Sequence, residues 1–233
     1  MARTHKAWAV RTARDRTEAP ARARLLEAAE TVFTRLGLGP ATVADITARA
    51  EVSRAGFYVY FASKEEIFRV LAVGVRDAFL AAQEVPGVDS GDTRAVAEAS
   101  VGAFIAACAR HQPLLVLLEQ QARTDPDVAR LWEEIRERPV RRHARYIRRL
   151  ADRGEASPVA EPLAVARAVG GMCAEFARRV AARPDMYDAA VRDVTTMYLH
   201  LLGAGTSRTV RVQEDRAETV RDQEDRAERT SQS

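Results

Sequence analysis

The stretch Thr42–Lys64, TVADITARAEVSRAGFYVYFASK, decides how the rest of the chain is read. Thr42 followed three residues later by Asp45 is a capping-box pattern, with Val43 and Ile46 at the spacing of one inward face. Ala50-Glu51-Val52 makes a tight connector. Ser53 then caps a third short helix through Tyr58, and Ser63-Lys64-Glu65-Glu66 is an S-x-x-E box opening a longer one. Two short helices joined by a tight turn, the second entered through a capping serine, form a helix-turn-helix.

Positions on that second helix suggest its chemistry. Val52 and Phe57 face inward, leaving Ser53, Arg54, Ala55 and Gly56 on the first exposed turn. A recognition helix presents that turn to the major groove of DNA. Arg54 carries the one bidentate donor fork there, suited to guanine O6 and N7 or to a phosphate. Gly56 costs helix stability of about 1 kcal/mol relative to alanine, which a close backbone approach to DNA would justify. Thr42, Tyr58, Tyr60 and Lys64 are polar groups expected to hold phosphates and set register.

Outward from this module, the chain is read as helix throughout. Leu25, Leu26, Ala29, Phe33 and Leu36 repeat at about 3.6 residues from Pro20 onward and stop at Gly37-Leu38-Gly39-Pro40. After a turn-rich loop at Val85–Asp92, helices are expected over Thr93–Arg110, Pro113–Arg123, Pro126–Arg153, Pro162–Ala182 and Asp185–Leu202. Pro139 should kink or split the third of these. No stretch alternates like a strand, so the fold class is all-α: a three-helix helix-turn-helix domain followed by a larger helical domain. The boundaries read as a flexible basic arm at 1–19, the DNA-binding domain at 20–68, the larger domain at 69–205 and a charged low-complexity tail at 206–233. The arm and first helical turn, residues 1–24, hold seven basic residues against two acidic ones, a usual footprint of nucleic-acid binding. In the tail, VRVQEDRAET (Val210–Thr219) and VRDQEDRAER (Val220–Arg229) agree at eight of ten positions and offer too little apolar surface for a core.

Composition excludes several classes. With 47% hydrophobic and 30% charged residues and no apolar run near the length of a membrane span, membrane and collagenous classes fall away. Met1–Arg16 is basic without an apolar core, which predicts no secretion. Cys108 and Cys173 lie far apart in sequence, as expected of reduced thiols in a cytoplasm. There is no H-E-x-x-H, C-x-x-C, G-x-S-x-G or Walker A loop, and His5, His111, His143 and His200 lack metal spacing, so no enzyme, cofactor or metal site is expected.

At T-V-x-D-I-x-x-x-A followed by V-S-R-x-x-F-Y-x-Y-F-x-S-K-E, the sequence resembles the TetR family of bacterial transcriptional regulators over about Arg22–Leu71. The resemblance implies an N-terminal DNA-binding domain and a larger helical domain that dimerises and binds a small molecule. By position it puts Thr42, Ser53, Arg54, Ala55, Gly56, Tyr58, Tyr60 and Lys64 at DNA, with Phe57 and Phe61 in the core. One departure is Glu51, where the family's turn usually carries glycine. Residues 119–153 are also similar to the subgroup containing the repressor of the ethionamide-activating monooxygenase, through Q-A-R-x-D/S-x-x-V-A-x-L-W.

For the ligand, Phe104, Cys108, Leu117, Trp132, Tyr146, Met172 and Phe176 are large or soft residues at core-facing positions, and an apolar effector is expected among them. Arg123, Glu119, Glu175 and His111 are the available polar contributors. Residues 162–182 and 185–202 are apolar on more than one face, as helices of a homodimer interface are. The arginines at 136, 138, 141, 142, 145, 148 and 149 oppose an apolar stripe of Ile135, Val140, Ala144, Ile147 and Ala151 and read as a solvated face. The expected function is a ligand-responsive repressor binding a palindromic double-stranded operator as a dimer. The alternatives are an activator, or an interaction protein acting through the Arg-rich helix and the tail.

Overall fold

The computed structural model describes residues 20–89 and 91–203; the basic arm and the repeat-bearing tail lie outside the described residues. Among those described, the chain is helical with no strand: α1 Pro20–Leu36, α2 Val43–Ala50, α3 Arg54–Tyr60, α4 Lys64–Ala81, α5 Thr93–Arg110, α6 Gln112–Gln121, α7 Pro126–Asp152, α8 Pro162–Ala182, a 3-10 turn Pro184–Met186 and α9 Tyr187–Leu202. None of these helices taken singly is long and apolar enough to cross a membrane. The helices assemble into two compact units, one of residues 20–81 and 110–138, the other of 82–109 and 139–203.

In the first unit α1 packs on α2, α4 and α6. Its buried face is Leu25, Ala28, Ala29, Val32 and Phe33, whereas Leu36, expected in the same stripe, is 47% exposed in the last turn. Phe33 meets Phe68 of α4 edge to face at 5.7 Å, a geometry that matches ring edge to ring face. Gly37 closes α1 in the left-handed region at φ 81°, its N–H donating to Phe33 O at 2.8 Å. Ion pairs join Arg76 to Glu134 at 3.3 Å and Arg69 to Asp127 at 4.0 Å.

In the second unit α8 packs on α9, and both contact the 3-10 turn between them. Val165, Ala166, Val169, Cys173 and Ala177 of α8 are buried, as are Val194, Tyr198 and Leu202 of α9. The helix α7 runs unbroken through Pro139, so the proline does not split it. Of the expected apolar stripe, Ile135, Ala144 and Ile147 are buried, while Arg136, Arg138, Arg141, Arg145, Arg148 and Arg149 are exposed. Cys108 and Cys173 are both buried free thiols, and desolvation pushes the Cys173 thiol up to about 12.

Candidate nucleic-acid interface and helical cavity

Local hydrogen bonding builds the helix-turn-helix as its capping residues require. The Thr42 hydroxyl donates to Asp45 Oδ2 at 2.6 Å and accepts from the Asp45 N–H at 3.2 Å, while the Thr42 N–H donates back to Asp45 Oδ2 at 2.9 Å. These bonds, the hydroxyl's first, hold the Asp45 carboxyl below the usual carboxylate range. Thr42 is exposed, yet its one hydroxyl hydrogen is engaged by Asp45. A phosphate seeking that donor would have to displace the capping bond.

Glu51 ends α2 at φ 51°, ψ 43°, a left-handed conformation held by no other non-glycine residue among those described. Its backbone N–H caps the helix on Thr47 O, and the Val52 N–H donates to the same oxygen at 3.1 Å. An L residue there costs about 1–2 kcal/mol, and a carboxylate at a helix C-terminus faces the negative end of the helix dipole. Glu51→Gly should therefore raise stability by about 1 kcal/mol, readable as a higher urea midpoint at unchanged slope. A lower midpoint would show that the turn is not strained.

Ser53 opens α3, accepting the Gly56 N–H at 3.0 Å. Phe57 is fully buried and Phe61 nearly so, which aims the opposite face of α3 outward. That face holds Arg54 and Ala55 and, one turn on, Tyr58 at 49% and Val59 at 51% exposure. The spacing places Arg54 with Tyr58 on one ridge and Ala55 with Val59 on the next. The Arg54 guanidinium lies 6.0 Å from the Tyr58 ring centre, and that ring stands edge-on to Phe57 at 5.4 Å. The donor fork is thus stacked on an aromatic braced by the core. Val59 escaped the sequence reading; its only signal was its place four residues after Ala55. Tyr60 is half-buried at the end of the helix.

Two of the expected site residues have roles within the fold. Gly56 does not need DNA to explain it: a Cβ there would lie 2.9 Å from Val52 Cγ1 and 3.2 Å from Ser53 Oγ. The glycine lets the turn close. Lys64 is also accounted for within the fold. Its ammonium donates to Leu38 O at 2.9 Å, Gly39 O at 2.7 Å and Ala41 O at 2.8 Å. An ammonium has three N–H donors and each has a carbonyl, so Lys64 staples the α1–α2 loop to the start of α4. Beside it, Ser63 Oγ caps Glu66 N–H at 3.2 Å, while the Glu66 carboxylate accepts from Ala62 N–H at 2.5 Å. The second capping box is therefore shifted by one residue on its return bond.

The second unit holds a half-open cavity of about 170 Å³. Of the seven residues expected at a pocket, Phe104 and Tyr146 line it. Cys108 is buried but off the lining, while Met172 and Phe176 are half-buried elsewhere on α8. Leu117 and Trp132 belong to the first unit. Neither Arg123, Glu119, Glu175 nor His111 lines the cavity. Periodicity sorts residues into inward and outward, but which inward residues border a void depends on how helix ends meet. Lining residues to which the sequence reading gave no pocket role include Gln83, Ser100, His143, Cys173, Tyr198 and two arginines of the face read as solvated, Arg142 and Arg149. His143 Nε2 and Tyr198 Oη form a hydrogen bond of 2.5 Å on this wall. Burial pulls the His143 imidazole down to about 4 and pushes the Tyr198 phenol up, so the pair is neutral near pH 7. Arg142 pairs with Glu84 at 3.1 Å.

Residues 25–71 match the family described as bacterial regulatory proteins, tetR family. Across 47 residues the chain is 49% identical to YfiR of Bacillus subtilis strain 168, an uncharacterized HTH-type transcriptional regulator; the match covers 20% of this chain and 23% of that one. The fold is similar to a TetR-like transcriptional regulator from Rhodococcus sp. RHA1 (TM-score 0.60, 23% identity, 78% of this chain and 94% of that). It is also similar to GusR of Salmonella enterica (TM-score 0.64, 19% identity, 79% and 96%). The fatty acid degradation regulator FadR of Bacillus halodurans is a further structural relative (TM-score 0.61, 15% identity, 78% and 96%). Residues 25–71 are thus similar in sequence to the tetR family's N-terminal region, and the all-helical architecture shares the fold of TetR-like regulators.

Proposed function

We propose that the protein is a TetR-family DNA-binding transcriptional regulator that represses as a homodimer on a palindromic operator and releases it on binding a small molecule in the second unit. The observation that carries the reading is the outward face of α3, with Arg54 stacked on Tyr58 beside Ala55 and Val59 over a buried Phe57. Arg54 would read guanine, Ala55 and Val59 would meet thymine methyls, and Ser53, Thr42, Tyr58 and Tyr60 would contact the backbone. The dimer would form through 162–182 and 185–202, where Leu163 and Met197 are each 37% exposed and Met172 and Phe176 are half-buried. Two recognition helices held there would meet half-sites about 34–36 Å apart or a multiple of that. A ligand that favours a different head spacing need supply a coupling of only about 1–3 kcal/mol.

The test is fluorescence anisotropy against DNA immediately upstream of the protein's own gene, titrated with salt. Tight binding that survives competitor DNA, with a steep salt slope, supports the reading; binding without sequence preference overturns it. On an operator so identified, Arg54→Ala should cost about 1–3 kcal/mol and relax base choice at one position per half-site. Unchanged operator choice in that variant would remove Arg54 from direct readout.

A further inference from the structure

Exposure sorts the lining of the second unit's cavity. Val101, Ala166 and Val169 are buried, whereas Arg149 borders the same cavity and is exposed, so the arginine stands where the cavity opens. Half-buried Tyr146 lines it too and precedes Arg149 by three residues on α7, a spacing that stacks side chains on one face. Neither side chain makes a hydrogen bond or ion pair with a described residue. The Tyr146 oxygen is reachable by water, whereas Gln83 Oε1 on the same lining is sealed from it. Burial holds the Tyr146 phenol above its usual range, Glu155 adding to the shift and Arg153 and Arg149 opposing it, so the hydroxyl keeps its hydrogen near pH 7.

The other polar groups are already matched. His143 bonds Tyr198 at 2.5 Å, Ser100 Oγ donates to Ala97 O at 3.1 Å, and Arg142 pairs with Glu84 at 3.1 Å. Nearby, Arg153 pairs with Glu155 at 2.7 Å. Arg149 is left as an unmatched positive charge at the opening, and the exposed Arg145 and Arg148 on the same helix add to the field there.

We propose that the cavity takes a monocarboxylate whose apolar body, the size of about one ring, lies against Val101, Phe104 and Val169, and whose carboxylate accepts at the opening from Tyr146 Oη and the Arg149 guanidinium. The size follows from the volume: an apolar cavity of roughly 150 Å³ holds benzene, and this one is about 170 Å³. The charge follows from two donors lacking acceptors, one of them a cationic fork that matches a carboxylate in shape. A cation would be repelled by Arg149. The inference deepens the ligand-responsive reading and rests on it only for the consequence at DNA.

The experiment is isothermal titration of the full chain, without DNA, with benzoate, benzamide and acetate. Benzoate should bind about tenfold more tightly than benzamide, its neutral counterpart of the same shape, and more tightly than acetate, which lacks the body. Arg149→Gln should bring benzoate and benzamide within about twofold of each other, and Tyr146→Phe should weaken benzoate several-fold. Arg145→Gln removes the same charge from an arginine off the lining and should leave benzoate binding within about twofold. Equal affinity of benzoate and benzamide for the wild-type chain would overturn recognition of the carboxylate. Equal losses in the two arginine variants would mean a diffuse positive field and overturn the site at Arg149. Acetate binding as tightly as benzoate would overturn the apolar body, and no binding of any probe would overturn the whole assignment. Benzoate that binds as expected yet leaves an operator complex intact would overturn the release mechanism and leave this assignment standing.

Discussion

Lys64→Met is expected to lower the unfolding free energy by about 3 kcal/mol, seen as a lower urea midpoint for the full chain by circular dichroism. The methionine keeps most of the aliphatic stem, so the loss isolates the ammonium. That group donates to three carbonyls, Leu38, Gly39 and Ala41, at 2.7–2.9 Å. Hydrogen bonds from a charged donor contribute about 1.5–3 kcal/mol apiece. The three share one cation, and Gly39 is exposed enough for water to replace its bond, so the sum is smaller than three times one. Leu38 and Ala41 are buried and their carbonyls have less recourse. The loop they bound leads into Thr42, so losing the staple also loosens the entry to α2. A phosphate-binding lysine behaves differently: its loss would leave the urea midpoint in place and reduce the salt slope of DNA binding by about one. That outcome would overturn the staple.

Gly203→Ala is expected to destabilise the second unit by roughly 3 kcal/mol or more, the other large effect in the molecule. Gly203 ends α9 at φ 64°, and a Cβ there would lie 2.2 Å from the Ser157 carbonyl oxygen and 3.0 Å from its carbon. Backbone cannot swing aside as a side chain does. The 153–161 loop would have to lift away, along with the bonds Ser157 N–H to Leu202 O at 2.9 Å and Val159 N–H to Leu201 O at 3.0 Å. Gly154 supplies the internal control, since it has φ 69° and nothing within 4 Å of an added Cβ. Gly154→Ala should show the left-handed penalty by itself, about 1–2 kcal/mol. If the two alanines lowered the melting temperature equally, the close approach of α9 to Ser157 would be wrong.

The frame of the helix-turn-helix was legible because its signals are local. Thr42 and Asp45 cap each other across three residues, Ser53 caps Gly56 N–H, and the burial of Phe57 follows from helical phase. Helices over Thr93–Arg110 and Pro162–Ala182 likewise begin and end where Pro, Gly and periodicity say they should. Glu51 was legible as an oddity, and its positive φ is the physical form of that oddity.

The structural roles of Lys64 and of the cavity lining depend on partners far off in sequence or across a void. Lys64 looks like a phosphate contact in the string because its neighbours are polar; the carbonyls that take its hydrogens stand 23 to 26 residues earlier. Gly56 looks like clearance for DNA until Val52 is seen beneath it. The cavity was the least legible feature. Apolar periodicity marked Met172, Phe176, Leu117 and Trp132, yet the lining was completed by Gln83, His143 and Tyr198, three polar side chains on three separate stretches. Helical phase and capping act over about one turn and are written in adjacent residues, so the sequence by itself determined the all-helical class, the capped helix-turn-helix and the outward Arg54. Which donors find carbonyls, and which inward faces border empty space, depends on distances between elements far apart along the chain, and only the tertiary structure decided those.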